Sequence, residues 1–233
     1  MHTLSIVIPC YNEAGTIARL LESVHAAPVQ SKQVIVVDDA STDGTRELLQ
    51  GELRRYIDVL VLHDVNQGKG ASLRDGISRA AGDFVVFQDA DLEYDPREFP
   101  KLLKPLLDDK ADVVYGSRFL GGESHRVLFF WHYVGNKLIT LLCNLFSNLN
   151  MSDIETCYKI FRRSVLAQIE LREDRFGVEP EITLKVAAIP DVRIYEVGIS
   201  YSGRTYAEGK KIGWRDGVSA LRCIVKYGLL RRA

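Results

Sequence analysis

Four acids fall within seven residues at the end of an apolar run, in VVFQDADLEYDP (Val85 to Pro96): Asp89, Asp91, Glu93 and Asp95. In an extended segment, residues two apart face the same side, roughly 7 Å from each other. Asp89 and Asp91 then project together over a strand end. One carboxylate could hold a hard divalent cation while the other takes a sugar hydroxyl. Mg²⁺ accepts one or two protein carboxylates and fills its remaining positions with water and phosphate oxygens. A solvated turn closed by Asp95-Pro96 would read the same way, and the buried run just before it favours the cation.

Three further polar stretches could act beside this one. NQGKG (Asn66 to Gly70) is similar to a small phosphate loop, with backbone N–H groups opening a helix and Lys69 as a point charge. It is neither GxxxxGK[ST] nor GxGxxG, and a plain helix-start turn competes with the phosphate reading. PCYNE (Pro9 to Glu13) offers Tyr11 to stack on a base and Glu13 to accept from one; a capping turn with Asn12 as N-cap fits equally. Asp38 and Asp39 carry the same two readings. GRTYAEGKK (Gly203 to Lys211) is basic and bracketed by glycines, so Arg204, Lys210 and Lys211 could close over a diphosphate.

The elements that must position these loops follow from the hydrophobic pattern. LSIVIP (Leu4 to Pro9), QVIVVDD (Gln33 to Asp39), DVLVLHD (Asp58 to Asp64) and DFVVFQD (Asp83 to Asp89) are short, almost wholly apolar runs. Amphipathic stretches separate them, the first with Ile17, Leu20, Leu21 and Val24 at helical spacing. The alternation predicts an α/β fold with a mostly parallel sheet covered on both faces. Open sheets of this kind bind ligands beyond the carboxyl ends of their strands. The ends in PCYNE, DDASTDGT, NQGKG and DADLE therefore converge on one crevice. ADVVYGSRF (Ala111 to Phe119) reads as a strand leaving the core, and Asn136 to Leu149 as a helix with a broad apolar surface. VRIYEVGISY (Val192 to Tyr201) reads as a late strand, and the chain closes in an amphipathic helix. With no repeat or linker, residues 1–233 are taken as one domain.

Composition narrows the function classes. The 233 residues are 46% hydrophobic with a formal net charge of -1, as in an ordinary globular protein. Tyr201 to Ala233 nevertheless carry eight Lys/Arg against two acids. A basic tail on an acidic body points to a local anionic partner. Cys10, Cys143, Cys157 and Cys223 are scattered without CxxC, which predicts reduced thiols rather than a disulfide framework or zinc site. MHTLSIVIPC reads as a first strand rather than a signal peptide. The most apolar stretch, Val127 to Phe146, is broken by His132, Asn136, Lys137 and Asn144, so it could lie on a bilayer but not span one.

PCYNE, VVDDASTDGT, NQGKGASLRDGI, DADLEYDP, YGSRF and YSGRTY, in this order, resemble family 2 glycosyltransferases of the GT-A fold. Within that family the likeness is to polyprenyl-phosphate sugar synthases of the dolichol-phosphate mannosyltransferase type. The resemblance implies a Rossmann-like mostly parallel sheet flanked by helices, ending in amphipathic helices. It also implies a division into a nucleotide-sugar part (1–120) and an acceptor part (121–233). The implied activity is inverting transfer of a hexose from a UDP- or GDP-sugar to polyprenyl phosphate, at the cytosolic face of a membrane, with Mg²⁺ or Mn²⁺. By the same likeness, Pro9, Tyr11, Glu13 and Asp39 hold base and ribose, and Asp89 and Asp91 bind metal and donor diphosphate. Arg118 faces the acceptor phosphate, while Arg204 with Lys210 or Lys211 closes on the diphosphate. Glu93 stands where relatives carry Gln, and is a metal ligand or turns outward.

A lipid phosphate acceptor needs no protein base. A sugar hydroxyl acceptor would, with Glu155, Glu179 or Glu181 as candidates; GVEPEI also reads as a helix start with acids near the dipole. Leu138, Leu142, Leu145 and Leu149 with Phe129, Phe130 and Trp131, and Val218, Leu221, Ile224, Val225 and Leu229 beside Arg215, Arg222 and Lys226, suit an interfacial surface. Core packing or a dimer interface would suit them too. A membrane subunit or a second copy is a further partner; nucleic acid is not expected.

Overall fold

Strand β1 (Leu4–Cys10) is buried along nearly its whole length because parallel neighbours flank it on both sides, β2 (Lys32–Asp38) and β4 (Phe84–Phe87). The computed structural model describes residues 2–127, 129–205, 208–209 and 214–230. Helix α1 (Ile17–Ala26) buries Ile17, Leu20, Leu21 and Val24, the stripe its spacing predicts. Helix α2 (Thr45–Gln50) leads through a 3₁₀ turn (Glu52–Tyr56) to β3 (Val59–Leu62), which pairs with β2 in parallel. Helix α3 (Lys69–Ser78) returns the chain to β4, and α4 (Phe99–Leu107) to β5 (Val113–Ser117).

Beyond β5, helix α5 (Phe130–Ser147) begins six residues earlier than its sequence pattern suggests. Then come β6 (Lys159–Arg162), the single turn α6 (Arg163–Leu166), α7 (Val178–Val186), β7 (Ile194–Gly198) and α8 (Trp214–Leu230). The seven strands order as β3-β2-β1-β4-β6-β5-β7, parallel throughout except for β6. β5, expected to leave the core, is instead buried between β6 and β7.

The antiparallel β6 has a functional consequence. Its first residue lies at the edge where the parallel strands end, since Val86 pairs with Ile160 and Tyr115 with Lys159. Residues 153–159 are thereby delivered to the same crevice as the ends of β1, β2 and β4.

One close approach fixes that crevice from below. A Cβ on Gly70 would lie 2.0 Å from the Glu173 carbonyl oxygen, and one on Gly68, at φ +102°, 2.4 Å from that of Asp174. The Ala71 amide donates to Asp174 O at 3.1 Å. Backbone cannot yield as a flexible side chain does, so Gly70→Ala is expected to destabilise by about 2–3 kcal/mol. Gly15→Ala, where nothing lies within 4 Å, should leave the thermal midpoint unchanged; parallel melts of the two variants check this.

Candidate functional site

The four strand ends are tied edge to edge. Asp39 N donates to Cys10 O (2.8 Å), His63 N to Asp38 O (2.9 Å) and Gln88 N to Val7 O (3.0 Å). The crevice above them holds most of the residues singled out by sequence, although several do other work than expected.

Arg204 reaches the centre of the acids. Its Nη1 donates to Glu13 Oε2 (3.1 Å), and its Nη2 to Glu13 Oε1 (3.0 Å) and Asp91 Oδ2 (3.1 Å). Its Nε is buried and makes no hydrogen bond, 3.8 Å from Glu93 Oε1. Burial works against this guanidinium's charge, but the bonds to Glu13 and the charge of Asp91 more than reverse it and raise its pKa. Arg204 thus stands in for a cation among acids, where it was expected on a diphosphate.

Glu93 neither turns outward nor stands open. Its Oε2 accepts from the Tyr201 hydroxyl (2.7 Å) and its Oε1 from Arg204 N (2.7 Å), while its carbonyl accepts from Ser202 N (3.0 Å). It moors the segment that delivers Arg204. Asp91 is the strained acid. Burial first, then the charges of Asp89 and Glu93, push its carboxyl up to about 7 despite Arg204.

Asp89 is chelated by Lys69, whose Nζ lies 2.8 Å from Oδ1 and 3.0 Å from Oδ2. Lys69 also lies 3.2 Å from Glu179 Oε1. Burial opposes its charge, yet Asp89 above all holds its pKa well above the usual lysine value. Glu179 does sit in the first turn of α7, as the helix-start reading held, but it is buried and ion-paired with the buried Lys159. Glu181 accepts from the Arg172 and Glu173 amides at 2.8 and 2.9 Å and pairs with Lys185.

The phosphate-loop reading of NQGKG is corrected in its backbone part. Asp39 is buried and its carboxylate accepts from Gln67 N (2.8 Å), Gly68 N (2.7 Å), Asn66 Nδ2 (2.9 Å) and His63 Nδ1 (2.8 Å). A protein carboxylate therefore takes the Gln67 and Gly68 amides, and Asp39 shapes the turn. The glycines admit the close approach of residues 173–174. Asp38 is likewise spoken for, with Arg46 Nε at 2.7 Å. Tyr11 keeps an exposed ring and Pro9 is half-buried at the lip.

Arg118 forks onto the buried Asp153 through Nε (2.7 Å) and Nη2 (2.8 Å), and its guanidinium lies 5.1 Å from the Tyr201 ring centre. Nη1 is outside that fork. Lys210, Lys211, Arg231 and Arg232 lie outside the described residues, as does the side chain of Arg215.

Glu155, Lys159 and Asp153 come to the site through β6, which the sequence reading lacked; a lysine set between apolar residues in CYKIFR was the available signal. Burial, then Glu179, pushes the Glu155 carboxyl up to about 7, with Lys159 opposing, and its Oε1 is buried with no hydrogen-bond partner. A carboxyl raised in the folded state contributes stability that is full below its unfolded value, near 4.3, and is lost as pH climbs through 7. Glu155→Gln is accordingly expected to gain on the order of 2 kcal/mol at pH 8 and nothing at pH 4. Melts at the two pH values check the sign.

The apolar surface is real. Helix α5 turns Thr140, Cys143 and Ser147 inward and leaves Leu138, Leu141 and Leu145 exposed, with Trp131 at 78%, and Val127, ahead of the helix, is 88% exposed. Ile139, Leu142, Phe146 and Leu149 pack on the core instead. Helix α8 buries Ile224 and exposes Val218, Val225 and Leu229. Among the described residues no helix is long and apolar enough to cross a membrane.

A divalent ion fits this chemistry. The donors are hard oxygens, a guanidinium already takes a cation's place among them, and Asp91 is raised by repulsion that added positive charge would relieve. As the side chains stand, no three described acids, histidines or cysteines form a ready metal cluster.

Comparison with known proteins follows the same lines. The profile of glycosyl transferase family 2 matches residues 5–170. An undecaprenyl-phosphate mannosyltransferase from Micrococcus luteus is 31% identical over 97% of this chain and 94% of its own length. A low-salt glycan biosynthesis hexosyltransferase from Haloferax volcanii is 31% identical over 91% of the chain, and an undecaprenyl-phosphate 4-deoxy-4-formamido-L-arabinose transferase from Aeromonas hydrophila 29% over 89%. The chain spans only 52% and 62% of those two proteins. In fold it is similar to glucosyl-3-phosphoglycerate synthase from Mycobacterium tuberculosis, solved with Mn²⁺, UDP and phosphoglyceric acid. That likeness has TM-score 0.76 and 21% identity over 97% of this chain and 78% of the other.

Proposed function

Because this chain belongs to glycosyl transferase family 2, we propose that it moves a hexose, with inversion, from a nucleotide-diphosphate sugar to a polyprenyl phosphate. The observation that carries the acceptor is the 31% identity shared with an undecaprenyl-phosphate mannosyltransferase across nearly the whole of both chains. The exposed apolar residues of α5 and α8 support an acceptor met at a bilayer, with the protein lying peripherally on the cytosolic face. Residues 1–120 serve the donor and 121–233 the acceptor, with Arg204 and Lys159 reaching back across that division.

Asp89 and Asp91 would hold a divalent ion and, through it, the donor diphosphate. A Mg²⁺ or Mn²⁺ bound there supplies positive charge to the departing nucleotide. Glu93 acts as the mooring of Arg204 rather than as a ligand. Arg204 leaves Glu13 and Asp91 as the donor enters, and its planar fork then meets the diphosphate. Its departure frees Glu13 to accept from the base, and Tyr11 stacks on that base. Asp39 acts one step back, through the turn that carries Lys69. Arg118, held by Asp153, turns Nη1 toward the acceptor phosphate. That phosphate is anionic near neutral pH, so no side chain has to remove a proton from the nucleophile.

Nucleotide sugars carrying a radiolabelled hexose, offered with polyprenyl phosphate and with soluble glycans, test this reading. Label in an organic-extractable, mild-acid-labile lipid is expected. Label in soluble glycan alone rejects the acceptor.

A further inference from the structure

Behind Asp89 the site continues inward as a file of alternating charges. Asp89 is bridged by Lys69 at 2.8 Å, and Lys69 by Glu179 at 3.2 Å. The other Glu179 oxygen accepts from Lys159 Nζ, which also donates to the Thr156 carbonyl. Lys159 is fully buried, the Glu179 side chain is 5% exposed and Lys69 14%. The four groups come from four elements: the strand end after β4, the start of α3, the first turn of α7 and the start of β6.

A buried ion pair adds little net stability, because desolvation offsets most of the attraction, so its effect lies in what it positions. Here it positions a lysine against a carboxylate that has other work. An ammonium held on both oxygens of Asp89 cancels that acid's charge and repels any cation arriving beside it. A second carboxylate on the same ammonium draws part of that charge away. Glu179 is suited to this because Lys159 fixes it from behind and the protein excludes water around it.

We propose that Glu179, seated on Lys159, is a positioning residue that shares Lys69 with Asp89 and so keeps Asp89 negative enough to serve a divalent ion. The inference rests on the assignment of Asp89 and Asp91 to the cation. It makes Lys69 an internal competitor of that ion, restrained by Glu179.

The test removes both inner charges together, since Glu179→Gln alone would strand a buried lysine. Mn²⁺ alone is titrated into nucleotide-free protein, followed by the paramagnetic resonance of free Mn²⁺, with a melt of every variant. The E179Q/K159M protein should melt within a few degrees of the unaltered chain yet bind Mn²⁺ at least fivefold more weakly. Adding Lys69→Met to that protein should restore the affinity. Unchanged Mn²⁺ affinity in E179Q/K159M overturns the inference, as does a loss that Lys69→Met fails to restore, which would mark the file as scaffold only. Should E179Q/K159M not fold, Lys69→Met by itself decides: it is expected to bind Mn²⁺ at least fivefold more tightly, and unchanged or weaker binding overturns the inference. No Mn²⁺ binding by the unaltered chain removes the metal assignment itself, and this inference with it.

Discussion

Asp91→Asn is expected to lower turnover at least ~10³-fold while leaving the fold intact or firmer, since losing one group aimed at developing charge removes about 10²–10³ and the ion's hold is lost as well. The carboxyl is raised to about 7 by burial and by Asp89 and Glu93. An acid raised in this way destabilises the folded chain increasingly as pH climbs from its unfolded value, near 3.9, through 7. Asn removes that penalty, and the lost bond to Arg204, which keeps its fork on Glu13, offsets part of the gain. A residue whose removal helps the fold and ruins the reaction is held in place for the reaction. The check pairs a rate with a melt at pH 8. A catalytically competent Asp91→Asn protein would refute the site assignment.

Arg204→Ala is expected to split two quantities that usually fall together. Turnover should drop ~10²–10³-fold, because the leaving diphosphate loses a cationic partner in a water-poor site. Mn²⁺ affinity without nucleotide should rise about tenfold, because the guanidinium now standing among Glu13, Asp91 and Glu93 no longer competes. Arg204→Lys should fall between, keeping charge but losing the fork that spans Glu13 and Asp91. Metal titrations beside steady-state rates measure both sides. Weaker metal binding in Arg204→Ala would mean that Arg204 supports the ion's site rather than occupying it.

The first half of the fold was legible because its strands are continuous apolar runs, three of them largely buried, and each ends in polar residues. Val34 to Val37 and Phe84 to Phe87 are buried throughout, and their ends meet where parallel-sheet topology requires. β6 was not legible. Four residues, KIFR, give too short a pattern to separate from loop, and only pairing with β4 and β5 reveals its reversed direction. That omission hid Asp153 and Lys159, and left Glu155, already a candidate base, without a position; β6 delivers all three to the site.

NQGKG was ambiguous for a different reason. A turn rich in backbone N–H groups suits any anion, and its letters cannot say whether that anion is a phosphate or Asp39, distant in sequence. Glu93 was open because spacing gives a carboxylate's position but not its partners. Tyr201 and the Arg204 amide supply them, from more than a hundred residues away. In the stripe of α5, sequence gave the apolar residues but not which of them the core would take. Leu142 packs inward while Leu138 and Leu145 remain outside.

The most direct test of the account follows the product formed by purified protein from a nucleotide sugar and polyprenyl phosphate, with Mn²⁺ and again after chelation. The account predicts a sugar–phosphate–lipid whose anomeric configuration is opposite to the donor's, formed with the ion and absent without it. A lipid product with retained configuration, or one formed equally well after chelation, would contradict it.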